Sequence, residues 1–171
     1  LNINKHYRFN FLRKDNFGLL PFHNIGQTFN RLTYDYNLIN TAPDIGFTAK
    51  QFSFKNIEDI SYYEVPTPTS EIMFLTTLEQ GQFLESFFSL NFSRRMNVSI
   101  AYTGLRSLGK YREALVSQGN FRTTFHYETK KGNYKIRGHL STQDVLNEES
   151  GGLTGESLQA FKDNDPNFSD R

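Results

Sequence analysis

Between Leu84 and Arg106 apolar and polar residues alternate on both sides of a short polar stretch, Ser93–Asn97, and this pattern leaves little room for anything but antiparallel β-structure. Leu84, Phe88, Leu90 and Phe92 occupy even positions, interrupted by Ser86, and Val98, Ile100 and Tyr102 keep the same parity beyond the turn. Successive side chains of a strand point to opposite faces, so constant parity predicts a hairpin with one apolar face. Symmetric pairing about Arg95 would set Phe92 against Val98, Leu90 against Ile100 and Phe88 against Tyr102, with Asn91 and Ser99 on the opposite face.

The pattern recurs downstream. Phe121, Thr123, Phe125 and Tyr127 alternate with Arg122, Thr124, His126 and Glu128, and Lys130-Lys131-Gly132-Asn133 supplies the turn. The return strand carries Tyr134, Ile136, Gly138 and Leu140 against Lys135, Arg137 and His139. Pairing about that turn predicts Tyr127 opposite Ile136, Phe125 as a ring covering Gly138, and Glu128 opposite Lys135. Two hairpins with short polar turns, joined by the longer segment Thr103–Asn120, match the loop asymmetry of an outer-membrane β-barrel, in which the short turns are periplasmic. The segment KYREALV, Lys110–Val116, has the composition for about two helical turns.

Composition fits this reading. The chain has 171 residues, enough for one domain, with a mean hydropathy of −0.58, and no run approaches the roughly 20 apolar residues a spanning helix needs. A barrel escapes that test, because each strand needs only about 9–11 residues and every second one meets lipid. The net charge of +1 implies neither a nucleic-acid nor an acidic partner. With no cysteine, disulfide frameworks, thiolate nucleophiles and cysteine-based zinc sites are excluded. The opening residues LNINKHYRFN lack a basic segment followed by an apolar core, so the chain is expected to be processed or excised.

Elsewhere the pattern is weaker. Residues 1–27 form an N-terminal lead or a first strand, residues 28–145 carry the strands and loops of the barrel, and residues 146–171 form a polar external loop with one helical turn. Gln27–Tyr36 reads as a strand through Leu32, Tyr34 and Tyr36, whereas Ile45–Phe54 and Ile60–Val65 have strand composition with little alternation. Pro66 and Pro68 require an edge, loop or turn, and Ile72–Leu78 is ambiguous on both faces. About six to eight strands can be counted.

The stretches FNFLRKDNF at 9–17, LLPFHNIGQTFN at 19–30, IEDISYYEVPTPTSEIMF at 57–74, AYTGLRSLGKY at 101–111 and QDVLNEESGGLT at 143–154 resemble the putative porin family, large outer-membrane barrels of the Bacteroides phylum. The resemblance spans nearly the whole chain. It implies a bacterial outer-membrane location, a transport role and no catalytic residues. Members of that family are longer, so the resemblance also implies that these residues correspond to an N-terminal portion, stable only with the remainder of its own barrel or a partner barrel protein.

No chemical motif competes with this reading. Gly104-Leu105-Arg106-Ser107-Leu108-Gly109-Lys110 matches a phosphate-binding loop, but Tyr111 stands where a magnesium-ligating hydroxyl is required and the preceding strand belongs to an antiparallel hairpin. Asp163, Asp165, Asn167 and Asp170 suggest a calcium loop but lack its glycine and bidentate glutamate, and Pro166 interrupts them. His126 and His139 share a polar face without a third ligand. No cofactor, metal or catalytic activity is expected.

The fold class expected is therefore all-β, an antiparallel transmembrane barrel or part of one, passing small solutes passively. Glu85, Arg122, His126, Glu128, Lys135, Arg137 and His139 are expected to line its lumen. Phe88, Leu90, Phe92, Val98, Ile100 and Tyr102 of the first hairpin, with Phe125, Tyr127, Tyr134, Ile136 and Leu140 of the second, are expected to face outer-membrane lipid. The alternatives are a non-conducting barrel, acting as a structural element or as a subunit or substrate of a larger assembly, and a soluble β-sandwich binding module.

Overall fold

A computed structural model describes residues 19–21, 24–27, 29–32, 53–111, 113–148 and 152–166. Five strands form one antiparallel meander: β3 (Thr69–Thr77), β4 (Gly81–Ser93), β5 (Met96–Ser107), β6 (Val116–Glu128) and β7 (Lys135–Asn147), each paired with its neighbour in sequence. Ahead of them, β1 (Leu19–Pro21) and β2 (Phe29–Arg31) pair as a short separate ribbon. Helix α1 (Gly155–Lys162) follows the sheet, capped by the Thr154 hydroxyl, which accepts from the Ser157 amide. Among the described residues the protein is all-β but for this helix and one 3₁₀ turn at Ile57–Asp59, and the five-stranded sheet is open.

The first hairpin has the expected facing but not the expected register. Leu90 pairs with Val98, Phe88 with Ile100 and Ser86 with Tyr102, and an irregularity between Asn91 and Ser93 leaves only Arg94-Arg95 to turn the chain. The pairing is displaced by two residues from symmetry about Arg95. A two-residue displacement preserves parity, so every side chain keeps its face. In the second hairpin Tyr127 pairs with Ile136, Phe125 with Gly138 and Glu128 with Lys135, as the turn sequence predicts. The Phe125 ring does not cover Gly138, however, because nothing lies within 4 Å of where that glycine's Cβ would be. The covered glycine is Gly104, against which the Tyr102 ring packs.

Several other expectations are corrected. The connection between hairpins is Leu108–Leu115 rather than Thr103–Asn120, because β5 continues to Ser107 and β6 begins at Val116. No helix forms in its described residues. The short Leu78–Gln80 turn lies at the same end of the sheet as that loop, so connection length alone does not distinguish the two ends. Ile72–Thr77 falls within β3, with strict alternation of exposure along it, and Leu78 opens the turn that follows. Ile60–Val65 is not a strand but meets the sheet through Tyr62, Tyr63 and Val65, and of Gln27–Tyr36 only Phe29–Arg31 is a described strand. Most of Ile45–Phe54, and all of residues 1–18, lie outside the described residues.

Leu78–Gln80 would be hard to recognise as a turn. Glu79 and Gln80 both adopt left-handed backbone angles, φ 61° and 54°, and the Gly81 amide donates to the Leu78 carbonyl. That is the primed geometry suited to hairpins, built without the usual Asn-Gly.

The salt bridge predicted by the second hairpin forms at 2.9 Å between Lys135 Nζ and Glu128 Oε2. Both side chains remain partly exposed, so a double-mutant cycle over Glu128→Gln and Lys135→Met should yield a coupling of only about 0.2–1 kcal/mol. A larger value would mean that water is excluded from this end of the sheet.

Candidate functional site

Strand register divides the sheet into two chemically distinct faces. Odd positions of β3, β4, β5 and β7 share one face with the even positions of β6. Glu85, Arg122, His126, Glu128, Lys135, Arg137 and His139 all fall on it, among Ser89, Asn97, Ser99, Asn120 and Thr124. Polar side chains here are buried by one another: Ser89 is fully buried and Asn97 and Ser99 are 2% exposed, joined by hydrogen bonds from Asn97 Nδ2 to Ser89 Oγ at 3.0 Å and between Ser99 and Thr124 at 2.5 Å.

The other face is open and mostly apolar, with Gln82, Arg106 and Asp144 on it toward the Leu108–Leu115 end. Phe88, Leu90, Val98, Ile100, Tyr102, Phe125, Tyr127, Ile136 and Leu140 share it through the same register. Phe92 beside the bulge and Tyr134 just before β7 are exposed at the turn end. Ile72 and Phe74 of β3, Phe121 of β6 and Leu146 of β7 extend the exposed apolar surface beyond the residues that alternation singled out. Contiguous apolar area of this kind is uncommon on a surface that meets only water.

Two segments lie across the polar face. Asn24–Gln27 closes the end that carries the Leu108–Leu115 loop. Asn24 Nδ2 donates to Ser107 Oγ and to the Ala114 carbonyl, Gln27 Nε2 donates to the Glu148 carbonyl, and Gln118 Nε2 donates to the Gly26 carbonyl. Gly26, at φ 89°, brings its backbone so close to Leu105 and Val116 that a Cβ would sit 2.4 Å from the former. Beneath this segment Phe83, Leu105 and Val116 form a small buried cluster joined by Ile25, Met73 and Leu75.

The second segment, Ser53–Pro68, is a strap from β7 to β4. Its Lys55 backbone exchanges two hydrogen bonds with the Gln143 side chain, both 2.9 Å, in the manner of a strand pair. Tyr62 Oη lies 2.8 Å from His139 Nδ1 with Arg137 over its ring, and Tyr63 packs on Phe87 with centroids 4.5 Å apart. Asn91 Nδ2 donates to the carbonyl of Val65, which is buried. Alternation in the strands gave no sign of either segment; the sequence signal available was Tyr62-Tyr63, a polar-aromatic pair just before a proline break.

The motif candidates find no site. Gly104 lies in β5 and Gly109, at φ 72°, serves close packing against Ala114. No group of three or more metal-ligating side chains occurs among the described residues. His126 faces Arg137 and His139 engages Tyr62. Asp163 closes α1 by accepting from Gln159, while Asn167 and Asp170 lie outside the described residues. Glu85 takes the polar face beside Thr103.

No helix of the described residues is long and apolar enough to cross a membrane. The sheet strands have 9, 13, 12, 13 and 13 residues, and about 9–11 residues suffice for a tilted spanning strand. Comparison with curated proteins and with solved structures gives no match. The model of the family described as "Putative porin" matches residues 2–171, so this sheet, polar on one face and aromatic on the other, belongs to a member of that family.

Proposed function

We propose that the sheet is part of the wall of an outer-membrane β-barrel through which small solutes pass passively. The observation that carries this is the separation of faces over strands long enough to span: a barrel wall needs lipid-compatible side chains outside and polar ones within, alternating residue by residue. The polar face then lines the lumen, the aromatic face meets lipid, and the outer edges of β3 and β7 are completed by the remainder of the barrel or by a partner barrel protein. Selectivity follows from lumen charge, which on β6 and β7 is mostly basic.

The strap favours a second reading, a barrel that does not conduct, because it occupies space the lumen would need. Planar-bilayer recording from the full-length protein separates the two. Discrete conductance steps are expected, and they should enlarge when Tyr62 and Tyr63 are both replaced by alanine, since these rings tie the strap to His139 and Phe87. Silence from both proteins would favour the non-conducting barrel. Recovery of the protein without detergent would instead favour a soluble sandwich.

A further inference from the structure

The polar face holds a group of donors that the fold itself leaves unanswered. Arg122 Nη1, Asn120 Nδ2 and Ser141 Oγ are buried and have no hydrogen-bond partner among the described residues. Register sets Arg122 directly beside Ser141 on β7 and Ala101 on β5, and places Asn120 on the same face, about 7 Å along β6. Asn120 is 9% exposed.

Among the described residues, no carboxylate neutralises this group. Gln143, opposite Asn120, is committed to the Lys55 backbone. Glu128 pairs with Lys135, and Glu71 and Glu85 have interactions of their own. No ion pair reaches Arg122 among the described residues. A buried unsatisfied donor ordinarily costs about 1–3 kcal/mol and a charged one more. Native proteins therefore rarely keep several together without a ligand, an ion or water to answer them.

We propose that Arg122, Asn120 and Ser141 form a binding site for an oxyanion-bearing solute, a carboxylate or a phosphate. This rests on the lumen assignment of the polar face. The guanidinium offers a planar fork that matches two oxygens of such a group, and the amide and hydroxyl supply further donors. Ala101 takes up little space beside the fork. The strap flanks the site, reaching β4 at Phe87, in the same lateral row as Arg122, and β7 at Gln143 and His139 on either side of Ser141. A solute crossing the lumen would be held briefly here, and the site would pass anions in preference to cations.

Calorimetric titration of the full-length protein in detergent at low salt, with sodium phosphate and with sodium succinate, tests this and identifies which oxyanion is preferred. Saturable binding of at least one is expected, weakened at least tenfold by Arg122→Leu and unaffected by Arg106→Gln on the opposite face. Arg122→Lys keeps the charge without the fork and should weaken binding several-fold while folding normally, so misfolding of the leucine variant cannot decide the matter. Absence of binding of either anion, or equal binding by wild type and both Arg122 variants, would overturn the proposal. Binding by a protein that never conducts would leave the site standing and remove the pore. Conductance with no anion binding would do the reverse.

Discussion

Phe83→Ala is expected to destabilise the sheet by about 3–5 kcal/mol, the range for removing a buried aromatic from a packed core. Phe83 is 1% exposed and stands opposite Leu75 on β3 and Leu105 on β5, with Val116 fully buried alongside. The surrounding backbone is fixed by ladders on both sides of β4, so the space left by the ring cannot collapse easily. Denaturant unfolding of the full-length protein in detergent, followed by far-ultraviolet circular dichroism, reads the loss of the sheet directly. A loss below about 1 kcal/mol would mean that water already reaches the cluster beneath Asn24–Gln27, and that this end of the polar face is open.

Phe83 also shows where alternation stops being readable. Period-two patterning assigns each residue to a face but says nothing of which face is covered. Leu84, Phe88 and Leu90 therefore define one apolar surface correctly, while Phe83, Phe87 and Leu105 on the other face pass unnoticed because their neighbours are Glu85, Ser89 and Thr103. What covers them comes from outside the sheet: Ile25 and Tyr63 lie on other segments of the chain, and no local pattern foretells that contact. The second hairpin was legible to the residue because Lys130-Lys131-Gly132-Asn133 is a recognisable turn, with Gly132 at φ 71° supplying the left-handed position. The first was legible only in its facing, because Ser93-Arg94-Arg95-Met96-Asn97 contains no glycine to mark the turn and a bulge absorbs the difference. Leu78–Gln80 was not legible at all, since glutamate and glutamine rarely occupy the left-handed region.

The charged residues fared better than the segment that covers them. Glu128 and Lys135 meet as parity requires, and His126 and Arg137 are paired across β6 and β7. What makes these residues a candidate site is the strap, which Tyr62 and Tyr63 hold from one side and the backbone groups of Lys55 and Val65, without any side-chain signature, from the other. The unanswered donors at Asn120, Arg122 and Ser141 follow from the same geometry: Gln143 is diverted to the strap, and the small Ala101 offers no partner.

Ile100→Arg is expected to cost about 2–4 kcal/mol if the aromatic face meets lipid, as charged substitutions do near the bilayer midplane. Ile100 lies well inside β5, between Phe88 on β4 and Thr123 on β6, and is 45% exposed. In water an arginine at so open a position would cost little, and against a second packed sheet the cost would not depend on depth. Depth is therefore the decisive variable. Phe92→Arg, beside the Arg94-Arg95 turn, should cost only about 0–1 kcal/mol because an interfacial arginine can reach the headgroups. Arg137→Ala, on the polar face opposite His126 and over Tyr62, should leave folding nearly unchanged and move the reversal potential toward cations. Folding titrations of the three variants of the full-length protein into lipid vesicles, with bilayer recordings of the last, test the whole assignment. Equal costs at Ile100 and Phe92 would show that the aromatic face is not graded by a membrane. A large cost at Arg137 with no change in selectivity would show that the polar face is a packed interior rather than a lumen.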